Sequence, residues 1–194
     1  MNLALVTMIS ICAFLQSNWE LKKEKDGIKV YLANSDESKI KQFKVKTYID
    51  AKPREIADAV IDLDNNYKWF VNVEKAELLE QLGNDEFIFR QVIQVPFPFK
   101  DREVIEYCVV KDLPNGVVRI ELKEDSTFIP ETDDYVRMLM SRGYWILTPS
   151  GDGTDIEYSL LADPGGNIPA WLANQFIVNN PFKTIRGLRE YLKK

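Results

Sequence analysis

The chain has 194 residues, 45% of them hydrophobic, with a net charge of −5 and a pI near 5.0. That length fits one domain with a substantial core, and the acidic balance gives no electrostatic basis for a nucleic-acid partner. There is no histidine and there are two cysteines, Cys12 and Cys108, so a Ser–His–Asp or Cys–His site, an imidazole metal ligand and a disulfide framework are all excluded.

Leu3–Leu15 carries no charge and is mostly apolar. Crossing a bilayer takes about 20 apolar residues, so this run is too short to span. Its length fits the apolar centre of a secretory signal. No Lys or Arg precedes it, no AxA pattern follows it, and Ile11 is too bulky for a lipoprotein motif ending at Cys12. The expectation is a signal peptide over residues 1–17, cut near Gln16 or Ser17, with export to the periplasm. The alternative is a short helix docked on a cytoplasmic domain. Residues 18–194 then form the mature domain, with Cys108 as its one thiol.

Trp19–Asp26 reads as a short amphipathic lead-in, and Gly27–Leu32 and Ile40–Ile49 as strands. In the second, Phe43, Val45, Thr47 and Ile49 alternate with Lys44, Lys46 and Tyr48, the period of a half-buried sheet. Pro53 opens a helix with Ile56, Ala59, Val60 and Leu63 on one stripe. Asp64–Val73 is irregular and contains Trp69. Strands follow at Lys75–Gln81, Glu86–Val95, Arg102–Lys111, Val117–Lys123, Val136–Leu147 and Thr154–Leu161. The turns between them are short, so the sheet is antiparallel and not built from βαβ units. Asp163–Leu172 (DPGGNIPAWL) breaks the last strand and starts a helix from Ile168 to about Leu192. Pro181 is expected to kink or interrupt that helix after Asn180. The predicted fold is α+β, a helix-grip: a curved antiparallel sheet with a long C-terminal helix laid across it, the space between them either filled by large side chains or left as a cavity.

Several ordered motifs resemble the START domain, the steroidogenic-acute-regulatory-type lipid-transfer family. They are Trp19, Gly27–Tyr31, Trp69, Pro96-Phe97-Pro98 with Asp101-Arg102-Glu103, Val136-Arg137 leading to Gly143-Tyr144-Trp145, and Asp163–Gly166 with Ile168–Leu172. Within the family the motifs resemble those of the phosphatidylcholine-transfer branch. The resemblance implies a tunnel for one lipid or sterol-like molecule, non-catalytic carriage or sensing, and no metal or redox cofactor. A monomer with transient membrane contact is expected.

On pleat alternation, Phe87, Phe89, Gln91 and Ile93 share the face assigned inward, with Glu86, Arg90 and Gln94 facing solvent. Alignment with ligand-contacting positions of the family puts Val104, Glu106 and Cys108 inward on the next strand. Arg137, Leu139, Ser141, Gly143 and Trp145 share one face of the long strand. Trp69, after the first helix, is a further ligand-binding candidate, as are Trp171, Gln175 and Phe176 from the last helix, which is expected to pivot at Gly165 and Gly166. Glu106 and Arg137 stand out, because a charge facing an apolar cavity must be paired. They read either as a polar anchor for a headgroup or as a structural ion pair. In phosphatidylcholine-binding members an Arg and an Asp near the tryptophan equivalent to Trp69 grip the choline phosphate. Asn66 and Phe70 occupy those places here, and Gln91 and Val104 replace two aromatic residues. The ligand implied is therefore less polar than phosphatidylcholine.

Pro96–Phe99 reads either as a gate loop touching a membrane or as a packed loop. The acidic residues Glu131, Asp133 and Asp134 lack EF-hand spacing and read as a solvated loop. The rival function is a helix-grip enzyme of the cyclase or aromatase type, with Glu106 as its acid or base.

Overall fold

The computed structural model describes residues 19–193. The proposed signal peptide lies outside the described residues. The strands are β1 (Glu20–Lys25), β2 (Ile28–Ala33), β3 (Gln42–Ile49), β4 (Val73–Gly83), β5 (Glu86–Ile93), β6 (Arg102–Asp112), β7 (Val118–Glu124), β8 (Val136–Arg137), β9 (Met140–Ser150) and β10 (Gly153–Asp163). The helices are α1 (Pro53–Ile61) and α2 (Ala170–Tyr191), with a 3-10 turn at Asn66–Lys68.

These strands form one sheet in the order β1-β2-β3-β10-β9-β7-β6-β5-β4, each antiparallel to its neighbours, and β8 adds to β6 in parallel. The α+β helix-grip architecture read from the sequence is the one found. Trp19–Asp26 is not a loose lead-in. It supplies β1, which folds back on β2 through Asp26 and Gly27, both at positive φ.

The predicted strand Val136–Leu147 is two strands. β8 pairs with β6, and the Met138 N–H donates to the Glu103 carbonyl at 2.9 Å before the chain crosses to β9 beside β7 and β10. The break at Met138–Leu139 resets the side-chain alternation, because the pleat no longer runs continuously through it.

Pro53 starts α1, where its missing N–H costs nothing, and the Glu55 carboxylate accepts from the Lys52 N–H at 2.9 Å. α2 carries Phe182, Ile185 and Leu188 into the core and continues through Pro181 without interruption. Gly187 sets how closely α2 approaches the segment after the 3-10 turn: a Cβ there would stand 2.6 Å from the Trp69 carbonyl oxygen.

The second face of β5 and β6 is also covered. Ile88, Val92, Glu103 and Ile105 are buried there under the segment spanning residues 125–137. Tyr135 lies over the Arg90 guanidinium at 5.0 Å. The reading of Arg90 as solvent-facing is thereby corrected.

Candidate functional site

Two adjoining chambers lie against the concave face of the sheet, the outer one covered by α2 and the inner one by the end of α1 and the segment that follows it. The outer one, about 180 Å³, is almost wholly apolar and sits beneath the first half of α2. The inner one, about 70 Å³, reaches deeper, towards β6 and β7. Phe70, Ile93, Met138, Tyr158, Leu160 and Ala162 line both, so the chambers meet along these side chains.

The regular pleat of β5 brings Phe87, Phe89, Gln91 and Ile93 to the inner chamber, and that of β6 brings Val104, Glu106 and Cys108. Ser141 and Trp145 join them from β9, and Asn66 from the 3-10 turn. The Trp145 ring stacks on Tyr158 with centroids 3.9 Å apart, and Phe43 meets Tyr158 edge-on at 5.0 Å. Phe176 lines the outer chamber. The side chain of Gln175 lies outside the described residues.

Four expectations are corrected. Arg137 is buried on the opposite face of the sheet. Its Nε and Nη2 donate to one Glu103 oxygen at 3.0 and 2.9 Å, and its remaining N–H groups donate to the carbonyls of Ser126, Ile129 and Pro130. Arg90 donates to the other Glu103 oxygen at 2.7 Å. Arg137 is thus a fully engaged structural cation, the second of the two roles weighed for it. Leu139, in the break between β8 and β9, is 66% exposed, and Met138 takes the cavity position. Trp171 is 65% exposed at the start of α2. Trp69 is buried but lines neither chamber: Phe70 stands there, with the Trp69 ring 5.3 Å from it and the Trp69 backbone against Gly187.

Glu106 differs from Glu103 in having no cation. It is 5% exposed, and the Ser141 hydroxyl donates to it at 2.7 Å. Burial pushes its carboxyl up to about 7, against the lowering effect of the Ser141 hydroxyl and with a further rise from the Glu124 charge. Desolvation dominates, since removing water penalises the charged form. Burial and the Glu106 charge push the Cys108 thiol up to about 12, which keeps it an inert thiol near neutral pH.

One polar atom at the chambers is buried with no protein partner among the described residues, the Asn66 Oδ1. Gln91 and Tyr158 are buried polar residues that line the inner chamber beside it. No group of three His, Cys, Asp or Glu side chains among the described residues can hold a metal ion.

The outer chamber is rimmed by three elements. The β5–β6 loop supplies Pro96 beside Phe97, which is 97% exposed; the β8–β9 break supplies Met138 beside Leu139; the start of α2 supplies Ile168 and Ala173 around Trp171. Arg102 ties the first of these to the last. Its guanidinium donates to the carbonyls of Pro164 at 3.1 Å and Gly165 at 3.2 Å, and also to that of Lys100. Gly165 and Gly166 both adopt positive φ, near 60°, a conformation glycine holds without a Cβ penalty.

The wall from β10, Tyr158 with Leu160 and Ala162, went unassigned in the sequence. Its period-two alternation was a sufficient signal. Met138 had no such signal, because it lies at the break.

A family profile for the START domain matches residues 13–194. An uncharacterized protein of Pseudomonas aeruginosa is 36% identical over 181 residues, covering 93% of this chain and 89% of that one. The human phosphatidylcholine transfer protein is 28% identical over 199 residues, covering 94% and 92%. A crystal structure of a STAR-related lipid transfer protein fragment from Xanthomonas axonopodis superposes with a TM-score of 0.84 at 30% identity, covering 91% of this chain and 99% of that one.

Proposed function

We propose that this chain, which belongs to the START domain family, binds one amphiphilic lipid in its paired chambers and carries it without chemical change. The family supports binding or transfer of a hydrophobic ligand. The observation that carries the finer reading is the gradient along the cavity: an apolar outer chamber continuous with an inner chamber lined by the buried polar residues Asn66, Gln91, Glu106 and Ser141, the Asn66 Oδ1 unpaired among the described residues. Apolar chains would gain about 25 cal/mol for each Å² they bury, and the polar end would meet Asn66, Gln91 and Glu106.

Pockets that enclose drug-sized ligands occupy roughly 300–1,000 Å³, more than either chamber offers in this closed form. Loading a lipid therefore requires α2 to swing outward. Gly165 and Gly166 supply the hinge, and the Arg102 contacts must break for it to turn. Phe97, Leu139 and Trp171 at the rim support a transient contact with a bilayer during that opening. The apolar leader supports export of the domain, which N-terminal sequencing of the protein recovered from the periplasm would test.

Organic extraction of the purified protein, followed by lipid mass spectrometry, tests carriage directly. One lipid per protein is the expected result. Ala162→Phe, which fills the junction of the two chambers, should abolish that load while leaving the thermal transition in place. A load unchanged by Ala162→Phe would refute carriage in these chambers.

The near-neutral carboxyl of Glu106 favours a second reading, an enzyme that uses it as acid or base. Incubating loaded wild-type and Glu106→Gln protein side by side separates the two. Carriage predicts that the same lipid is recovered from both, whereas a lipid altered only by the wild type would establish catalysis.

A further inference from the structure

We infer that the inner chamber selects lipids whose headgroup is uncharged and both donates and accepts hydrogen bonds, a hydroxyl or an amide, and that it rejects phosphate. This rests on the carriage reading and names the class of lipid carried.

The first argument is unmet demand. Asn66 is 2% exposed with its Oδ1 unpaired among the described residues, and the buried Gln91 amide lines the same chamber. A buried polar atom without a partner costs about 1–3 kcal/mol. A ligand that satisfies these groups removes that penalty, and one that does not leaves it in place. Each amide presents a carbonyl acceptor and two N–H donors, so the complementary headgroup must supply both functions.

The second argument is charge. No Arg or Lys lines the inner chamber. Arg102 lies at the outer chamber with its N–H groups turned to the Lys100, Pro164 and Gly165 carbonyls. Arg137 lies across the sheet against Glu103. A buried phosphate draws its affinity from charge-assisted hydrogen bonds, bidentate to Arg above all, and here it would meet none. It would instead meet Glu106, with Glu124 close behind, the latter accepting from the Ser141 N–H at 3.3 Å. The protonated Glu106 carboxyl can donate to a headgroup oxygen and accept from a headgroup hydrogen. Its ionised form still accepts, but it repels an anion. The protonated form offers a phosphate one neutral donor in place of a cation, too little to offset the desolvation of its charge.

The third argument is direction. The polar groups stand at the inner end and the apolar lining at the mouth. A lipid therefore seats headgroup first, with its chains running out under α2, and the headgroup is fully removed from water. Such desolvation makes an uncompensated charge costly.

Delipidated protein is incubated with vesicles of dioleoylphosphatidylcholine containing equal mole fractions of dioleoylglycerol and dioleoylphosphatidic acid. The protein is then recovered and its lipids quantified. All three share the same chains, so differences report the headgroup alone. Dioleoylglycerol should be enriched about tenfold or more over both phosphate lipids after correction for mole fraction, the factor expected when a buried polar site is satisfied by only one of the competitors. Gln91→Leu and Asn66→Leu should each reduce that enrichment several-fold, with both variants still taking up the hydrocarbon probe 1,6-diphenylhexatriene. Equal or preferential loading of either phosphate lipid would overturn the inference. So would enrichment that survives both substitutions. If the hydrocarbon probe binds and dioleoylglycerol is not enriched, the headgroup assignment fails alone. If neither probe nor lipid binds, carriage itself fails and the headgroup assignment falls with it.

Discussion

Replacing Glu106 by Gln should change how stability depends on pH. The unfolded chain ionises this carboxyl near 4.5, and the folded chain near 7. Between those values the folded state holds a proton that the unfolded state has lost, so stability falls as pH rises through the window and is level above it. At about 1.4 kcal/mol per pH unit, the gap between the two values is worth about 3 kcal/mol. Gln keeps an oxygen that can accept from the Ser141 hydroxyl, which donates to Glu106 at 2.7 Å, and it is neutral at every pH. Urea unfolding of delipidated wild type and Glu106→Gln, followed by tryptophan fluorescence from pH 4.5 to 8.5, measures the difference. Carboxylates elsewhere titrate equally in both proteins and cancel. Glu124 alone couples to the position, since it raises the Glu106 value. The variant should gain about 3 kcal/mol on the wild type between pH 4.5 and 8. Parallel curves would mean that the carboxyl is as well solvated as an exposed one, and the burial argument for the inner chamber would collapse.

The rim makes a separable prediction. Phe97→Ser combined with Trp171→Ser removes two largely exposed aromatic side chains that line neither chamber, so the bound lipid load should persist while transfer between vesicles slows several-fold in a fluorescence dequenching assay. Gly187→Val forces a Cβ to within 2.6 Å of the Trp69 oxygen and should cost about 1–3 kcal/mol in chemical unfolding, the usual range for overpacking. Arg137→Met leaves Glu103 with Arg90 as its remaining cation. That change should destabilise by about 3 kcal/mol, the cost of opening a buried pair, with the ratio of loaded lipids unaltered. A changed lipid ratio in Arg137→Met would return Arg137 to the ligand site.

How far the cavity was legible depended on how far each strand ran without a break. Alternation along β5 and β6 brings out Phe87 to Ile93 and Val104 to Cys108 because both strands keep a single phase through the sheet. The same rule misplaces Arg137 and Leu139, because the chain changes neighbours at Met138 and the phase is lost there. Hydropathy does not mark that switch, since Val136, Met138 and Leu139 read as one continuous strand. The covered second face of β5 is a different case. Ile88 and Val92 interleave with Glu86, Arg90 and Gln94, and two buried apolar side chains on a face argue against open solvent. Charge alone is a poor guide to that face, because long charged side chains often lie over apolar neighbours.

The two inward candidates for a charged anchor, Glu106 and Arg137, illustrate a limit of another kind. Buried charges sort by what neutralises them, and that is decided between strands. Glu103 and Glu106 lie three residues apart on β6, so they point to opposite faces. Across the sheet Glu103 meets two arginines, one on each oxygen, and the donors of Arg137 are all engaged. Glu106 meets the hydroxyl of Ser141 and the charge of Glu124, and it faces a cavity. A carboxyl that is satisfied by its own protein fixes structure. One left short of a cation at the end of an apolar chamber stays protonated to a higher pH and remains able to bond a guest. The functional weight therefore moves from the Glu106–Arg137 pair considered in the sequence to Glu106 together with Gln91 and Asn66, whose Oδ1 has no partner among the described residues.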